Sequence, residues 1–211
     1  IYDFVKKQFQ SCASEVFGAV FVGGQSSRMG RPKFSLEYNG TTEPQRMAKI
    51  LSNFCEKVVL SARSDLEMGD LPERIQCERV NDDHTNLGPV GGLATLMSRF
   101  PDKAFLITAC DLPLLDEESF SHLIENRNPL KYGTCFIKKG RHGFEPMCAI
   151  YEPKFIFPLF EAMSSRELSI SRIIRDLPFQ HIVIPEAQRF RFSNVNHPEE
   201  YEAARLKRGI T

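Results

Sequence analysis

A glycine-rich loop that carries cations, placed directly after a short apolar run, most constrains what this chain can become. The run Phe17 to Val22 predicts a buried strand, because it is short, nearly unbroken and closed by Gly23-Gly24. Glycines let the backbone approach a ligand, and successive free N–H groups form a concavity that suits anions. Arg28 and Lys33 add positive charge to the same loop. The sequence therefore predicts a strand that ends in a phosphate-binding loop.

The loop matches neither of the two common glycine motifs. It contains no G-x-G-x-x-G dinucleotide fingerprint and no G-x-x-x-x-G-K-[ST] P-loop. From Gly23 to Lys33 it reads G-G-x-S-x-R-M-G-x-x-K, which is longer and more specific than either. An ordinary glycine-rich turn is the alternative, and the pairing of two cations with three glycines disfavours it.

Length and charge restrict the class of protein. A chain of 211 residues suits one α/β domain, which we expect over residues 16–208, with residues 1–15 as a tail or extension. Lys+Arg and Asp+Glu are 27 each, and this balance argues against nucleic acid or an anionic membrane as the main partner. No run of about 18 apolar residues occurs, and the scattered cysteines favour buried thiols in a reducing cytoplasm.

Apolar strand-like runs alternate with amphipathic segments along the chain, and no linker or repeat divides it. This alternation predicts a single Rossmann-like α/β domain with a mostly parallel, twisted sheet and helices on both faces. Gly23-Gly24, Ser61, Asp82 and Asp111 each lie at or just past the end of a predicted strand. Ligands bind at the carboxyl ends of such strands, so we expect these residues to meet at one edge.

Several local patterns give expectations that the fold can check. Thr42 should start a helix in capping-box register with Gln45, and Asn196 should cap the last helix. A strand is expected over Met147 to Tyr151. The alternating residues Arg189 to Phe192 indicate an edge strand or an exposed loop rather than a nucleic-acid patch.

Two positions suggest chemistry on their own. Asp111 follows the strongly apolar run Lys103 to Cys110, where a carboxylate is a natural Mg²⁺ ligand; a role in capping the Leu112-Pro113 turn is the alternative. Gly91 and Gly92 stand at the start of a predicted helix, although glycine is a poor helix former. They indicate either that a ligand approaches the backbone or that packing there needs glycine.

Four motifs in order resemble those of the molybdenum cofactor guanylyltransferases, a family of nucleotidyltransferases. The first is the loop Gly23 to Lys33. The others are Gly-Pro-Val-Gly-Gly-Leu from Gly88, Cys-Asp-Leu-Pro-Leu-Leu from Cys110, and Asn-Val-Asn-His-Pro-Glu-Glu from Asn194. Glu145-Pro146 also resembles the start of a family strand, and the resemblance covers roughly Phe17 to Arg205.

The resemblance implies a fold like that of the nucleotide-diphospho-sugar transferases and a Mg²⁺-dependent transfer of GMP from GTP to molybdopterin, with release of pyrophosphate. It implies that Asp111 is the metal ligand and that Arg28, Lys33 and Asp111 are catalytic. The implied nucleotide-binding residues are Val22, Gly23, Gly24, Lys33, Ser61 and Asp82, with Asp83 as an alternative to Asp82. The implied molybdopterin-binding residues are Arg28, Gly30, Gly88, Gly92, Asn194 and Asn196.

The loop also departs from the family pattern. Pro32 stands where the family often has Asp, and Met-Gly-Arg-Pro-Lys is common in the sister cytidylyltransferases. A cytidylyltransferase or another small-molecule nucleotidyltransferase is therefore the alternative, and a non-catalytic nucleotide-binding module is a more remote one. We expect a cytoplasmic enzyme with GTP and molybdopterin as substrates and no nucleic acid or membrane partner. Transient contact with other cofactor-biosynthesis proteins or acceptor molybdoenzymes is also compatible with the family.

Overall fold

The computed structural model describes residues 13–22, 33–38, 40–63, 77–84, 86–138 and 143–208, which form nine β-strands and six α-helices. The strands are β1 Val16–Phe21, β2 Glu37–Tyr38, β3 Thr41–Thr42, β4 Lys57–Ala62, β5 Glu78–Asn81, β6 Ala104–Ala109, β7 Gly133–Lys138, β8 Gly143–Tyr151 and β9 Phe179–Ile184. The helices are α1 Glu43–Leu51, α2 Pro89–Arg99, α3 Glu117–Glu125, α4 Ile156–Ser164, α5 Ile170–Arg175 and α6 Pro198–Lys207. Three-ten helices span Lys33–Ser35, Pro153–Phe155 and Glu186–Phe192.

Seven strands form one sheet in the order β5-β4-β1-β6-β8-β7-β9. Strands β5, β4, β1 and β6 are mutually parallel, β8 is antiparallel to both β6 and β7, and β9 is parallel to β7. Only β8 therefore runs against the others among the described strands of this sheet. The predicted mostly parallel sheet is confirmed, with β8 as its one antiparallel member.

Helices cover both faces of the sheet, as the alternation of apolar runs predicts. Met47 and Leu51 of α1 and Leu123 of α3 pack on one face. Leu93 of α2 and Leu159 of α4 pack on the other. Strand residues alternate between the two cores, because successive side chains of a strand point to opposite faces. A smaller cluster joins α6 to the β2–β3 hairpin through Tyr201, Tyr38, Leu36 and Val195.

Two helix starts test the local sequence signals, and one of the two differs from the expectation. Gln45 Oε1 accepts the Thr42 N–H at 2.8 Å, as expected at the start of α1. At the last helix the prediction that Asn196 is the cap is wrong, since the cap is His197. The reason is Glu200, the third residue of α6, whose Oε2 accepts the backbone N–H groups of both Asn196 and His197 at 2.6 and 3.0 Å.

The segment Arg189 to Phe192 is part of a three-ten helix, so the expectation of an edge strand there is wrong. Phe192 is buried in the core against Phe136, while Arg191 pairs with Asp116 and Glu118. Burial therefore accounts for Phe192, whereas Phe190 of the same segment is exposed. Within the described residues, no helix has both the length and the apolar composition needed to cross a membrane.

Candidate active site

The carboxyl ends of β1, β4, β5 and β6 lie side by side, and short hydrogen bonds hold the residues that follow them. Val22 N donates to Ser61 O at 2.9 Å, and Asp82 N donates to Ala62 O at 2.8 Å. The Cys110 thiol donates to Phe21 O at 3.3 Å. Ser61, Asp82 and Asp111 therefore lie at one edge of the sheet, where ligands of open α/β sheets bind.

Asp111 meets a second motif that lies far away in the sequence. Its Oδ2 accepts a hydrogen bond from Asn194 Nδ2 at 3.0 Å, and its backbone carbonyl accepts the Val195 N–H at 2.8 Å. Parallel pairing of β6 with β1 brings Asp111 to the edge, and the chain between β9 and α6 brings Asn194 there. A side-chain bond and a backbone bond together fix these two segments against each other.

Glu145 is a buried residue on β8 whose carboxyl group lies near Asp111. It lies close enough to Asp111 for the two carboxyl groups to interact electrostatically. Burial raises the pKa of the Glu145 carboxyl to about 7; the Asp111 carboxylate raises it too, while Lys138 opposes the shift from 3.9 Å away. The site thus contains a carboxyl group that is largely protonated below neutral pH.

Replacing Glu145 by Gln should change how stability depends on pH. The folded-state pKa lies above the ordinary value of 4.5, so the native protein binds the proton more tightly and loses stability as pH rises from about 4.5 to about 7. Gln cannot ionise. The free energy of unfolding of Glu145→Gln relative to the wild type should therefore rise by about 2 kcal/mol between pH 5 and pH 8.

Urea unfolding at several pH values measures this difference, with Glu161→Gln as the control because Glu161 is an exposed glutamate on α4. The groups facing Glu145 are Lys138, Asp111, Cys135, Cys148 and Tyr151. Burial raises the pKa of both cysteines and of the tyrosine, so these groups are neutral over that range. A pH-independent difference between Glu145→Gln and the wild type would contradict the buried, shifted carboxyl.

Asp82 holds its loop onto helix α2. Its Oδ1 accepts hydrogen bonds from His84 N at 2.8 Å and from Thr95 Oγ1 at 3.1 Å, and burial raises the pKa of its carboxyl group. Asp83 is exposed, and its backbone N–H donates to Thr95 Oγ1 at 3.0 Å. The geometry gives Asp82 a structural role in shaping the loop, whereas contact of either aspartate with a nucleotide stays a prediction.

The glycines of the Gly-Pro-Val-Gly-Gly motif have backbone and packing reasons of their own. Gly88 has φ +59°, a conformation that favours glycine, and is the cap of α2. A Cβ on Gly91 would lie 2.5 Å from His84 O, and a Cβ on Gly92 would lie 2.8 Å from Ser61 Oγ. Of the two explanations for Gly91 and Gly92, the structure thus supplies packing, and molybdopterin contact at Gly88 and Gly92 stays a prediction.

Several predicted site residues lie outside the described residues. These are Gly23, Gly24, Arg28 and Gly30, whose roles stay predictions. For Lys33 the structure describes the backbone, at the start of a three-ten helix, and not the side chain. Val22 is buried at the end of β1, where the loop begins. Asn196, half-buried beside Asn194, precedes α6.

The side chains of Asp111 and Asn194 are suitable ligands for Mg²⁺. Asp111 offers a carboxylate and Asn194 an amide, and hard oxygen atoms are the ligands that Mg²⁺ prefers. In the part of the chain that the structure describes, no group of three or more His, Cys, Asp or Glu side chains could hold a metal by itself. A magnesium site needs only one or two protein carboxylates when substrate phosphates supply further oxygens.

A mostly parallel sheet with a carboxylate at the end of a central strand, next to the start of a glycine-rich loop, is an arrangement found in nucleotide-binding α/β proteins. The family model described as the MobA-like NTP transferase domain matches residues 18–182. The chain belongs to this family. Its sheet and helices are those of the nucleotide-diphospho-sugar transferase fold.

Individual relatives agree with this assignment. The chain is 30% identical over 203 residues to a probable molybdenum cofactor guanylyltransferase of Opitutus terrae, covering 92% of this chain and 97% of that one. It is 29% identical to a molybdenum cofactor biosynthesis bifunctional protein of Synechocystis over 88% of its own length, and it spans about half of that protein, 52%.

A solved structure supports the fold. The crystal structure of molybdopterin-guanine dinucleotide biosynthesis protein A from Archaeoglobus fulgidus superposes with a TM-score of 0.75 at 20% identity. The superposition covers 92% of this chain and 98% of that one.

Proposed function

We propose that this protein transfers GMP from GTP to the terminal phosphate of molybdopterin, or of its molybdenum-bearing form, and releases pyrophosphate. Membership of the MobA-like family and the relatives' names support the reaction. The observation that carries the proposal is the contact of Asp111 with Asn194. Two motifs 83 residues apart, each implied by the resemblance to be functional, meet in space at the edge where such folds bind ligands.

In this reaction a phosphate oxygen of the acceptor attacks the α-phosphorus of GTP, and the bond from that phosphorus to the bridging oxygen of the β-phosphate breaks. The acceptor is already an anion, so the protein needs no strong general base. Catalysis then depends on positioning the two substrates and neutralising their charge.

Each group of residues has one task in the proposal. The Gly23-Gly24 loop binds the nucleotide phosphates, while Arg28 and Lys33 offset their charge and that of the acceptor. Asp111, oriented by Asn194, holds Mg²⁺, which when bound neutralises charge on the phosphate oxygens. Gly88, Gly92, Asn194 and Asn196 contact molybdopterin, and Ser61 and Asp82 contact the nucleotide. We place the enzyme in the cytoplasm, with transient contacts to acceptor molybdoenzymes or other cofactor-biosynthesis proteins.

The test is pyrophosphate release with molybdopterin and each of GTP, CTP, ATP and UTP, in the presence of Mg²⁺. We expect kcat/KM for GTP to exceed that for CTP by on the order of 100-fold, because hydrogen bonds to a base discriminate strongly. A preference for CTP would make the protein a cytidylyltransferase and overturn the choice of base. Binding of nucleotide without pyrophosphate release from any of the four would overturn the enzymatic proposal.

A further inference from the structure

A partly buried group of three charged side chains joins helix α1 to helix α6. Glu43, the first residue of α1, is fully buried, and the Arg46 guanidinium binds its Oε1, with Nε at 2.9 Å. Arg208, just past α6, donates from Nη1 to Glu43 Oε2 at 3.0 Å and lies over the Tyr38 ring. Each carboxylate oxygen of Glu43 thus has a guanidinium partner. This group is called the Glu43 triad below.

Arg46 uses its remaining donors on the turn that follows Asp111. Nη1 donates to Leu115 O at 2.8 Å, and Nη2 donates to Pro113 O at 3.0 Å. These carbonyls lie two and four residues after Asp111, and the Leu115 N–H closes the same turn by donating to Leu112 O at 3.2 Å. Arg46 therefore binds the turn from one side, while Asn194 and Val195 bind Asp111 from the other.

The hydrogen-bond geometry of Arg46 indicates that this arrangement does more than fill space. A buried ion group is often no more stabilising than apolar side chains of the same volume, because its charges must leave water. A guanidinium, however, presents several donors in one rigid plane and can fix two carbonyls and a carboxylate at once. An apolar side chain at position 46 would cover the turn without fixing its carbonyl groups.

We propose that Arg46, oriented by Glu43 and Arg208, is a positioning residue that holds the Asp111 turn in the geometry needed for nucleotidyl transfer. The inference rests on the proposed function for its catalytic consequence. Helix α1 follows the phosphate-binding loop in the chain and α6 follows Asn194 and Asn196. The Glu43 triad thus ties the turn of the metal carboxylate to the elements that follow the nucleotide loop and the acceptor motif.

Arg46→Met and Arg46→Lys test this role, and Arg127→Met is a matched control. Arg127 also makes a partly buried ion pair, with Glu152 at 2.8 Å through each of two nitrogens, and it also donates to a backbone carbonyl, Ser14 O. The exposed fractions of the two arginine side chains are similar, 18% and 12%. Ser14 precedes β1, so the control pair lies at the amino end of this strand, away from the proposed site at its carboxyl end.

We expect Arg46→Met to lower kcat about 30-fold with KM for GTP within about twofold, since the turn and not the nucleotide loop is displaced. Arg46→Lys keeps a charge beside Glu43 but cannot fix two carbonyls. Compared with Arg46→Met, it should regain most of the thermal stability and little of the kcat. Arg127→Met should lose as much thermal stability as Arg46→Met while keeping kcat within about twofold. Equal kcat losses in Arg46→Met and Arg127→Met would overturn the positioning role.

Amide hydrogen exchange tests the same role without an activity assay. The Leu115 and Val195 N–H groups bond within the Asp111 turn and to Asp111 O, so Arg46→Met or Arg46→Lys should speed their exchange about tenfold. Arg127→Met should leave both unchanged. Unchanged exchange in both Arg46 variants would overturn the inference, whereas absence of pyrophosphate release by the wild type, with the exchange difference present, would overturn only the proposed reaction.

Discussion

Asp111→Asn should lower kcat for nucleotidyl transfer by on the order of a thousandfold while leaving the binding of metal-free GTP almost unchanged. One preorganised electrostatic contact of this kind contributes about two to three orders of magnitude to kcat, and loss of the metal ligand adds to it. The neutral amide is a far weaker Mg²⁺ ligand than the carboxylate that the proposed site provides. The effect should therefore appear in catalysis rather than in folding.

The structure explains why this substitution is a clean test. An Asn at position 111 keeps an oxygen that can accept from Asn194 Nδ2, and the bond from Val195 N goes to the unchanged backbone carbonyl. The turn that Arg46 binds is also unchanged, because its two contacts are backbone oxygens. The substitution therefore removes the negative charge while keeping these hydrogen bonds.

Asp102→Asn is the matched control, because Asp102 precedes the same strand, β6, at its other end and pairs with Lys103 on the surface. Stopped-time pyrophosphate assays over a range of Mg²⁺ concentrations measure kcat, and isothermal titration with GTP in chelator measures binding. We expect the control to match the wild type in both. Turnover of Asp111→Asn within tenfold of the wild type would remove Asp111 from the metal site.

Most of the fold could be predicted from sequence because its signals are local and repeated. The apolar runs that became β1, β4 and β6 are short and bounded by polar residues, and the cap at Asp116 accepts from Ser119 N as its sequence context indicates. Pro158 falls in the first turn of α4, where its missing N–H costs little. The antiparallel direction of β8 depends on pairing between distant strands, and no local pattern gives it.

Glu145 shows where local prediction of the site ends. The predicted strand begins at Met147, but β8 begins at Gly143, so the carboxyl group lies inside the sheet rather than before it. A register shift between Cys135 and Phe136 separates the two parts of the β7–β8 pairing. The apolar pattern is interrupted where a strand bulges, because the bulge breaks the alternation of faces. The resemblance to the Glu-Pro strand was the available signal.

Glu43 and Arg46 were missed for a different reason. A Glu and an Arg three residues apart on a helix usually form an exposed pair that contributes little to stability. Here the Asp111 turn and Arg208 cover the pair and bury it completely at Glu43. Only the tertiary packing of three distant segments distinguishes a buried positioning group from an ordinary surface pair.

Gly92→Val should destabilise the protein by about 2–3 kcal/mol and weaken both substrates, because even a Cβ at this position would overlap its neighbours. That Cβ would lie 2.8 Å from Phe21 Cε1 and 2.8 Å from Ser61 Oγ. Phe21 ends β1 two residues before Gly23, where the proposed phosphate-binding loop begins, and Ser61 lies on β4 beside it. A displacement of either residue would move the proposed nucleotide-binding side of the site, so KM for GTP should rise together with KM for the acceptor.

Gly92→Ala grades the effect, and Ser98→Val controls for valine in a helix, since Ser98 is exposed on the same α2. Thermal unfolding and KM values for both substrates separate the two explanations of this glycine. Packing requires that stability and GTP affinity fall together, with the alanine variant between the valine variant and the wild type. If Gly92 instead contacts molybdopterin directly, the Gly92 variants should have normal stability, a normal KM for GTP and a raised KM for molybdopterin alone. That result would restore ligand approach as the reason for Gly92.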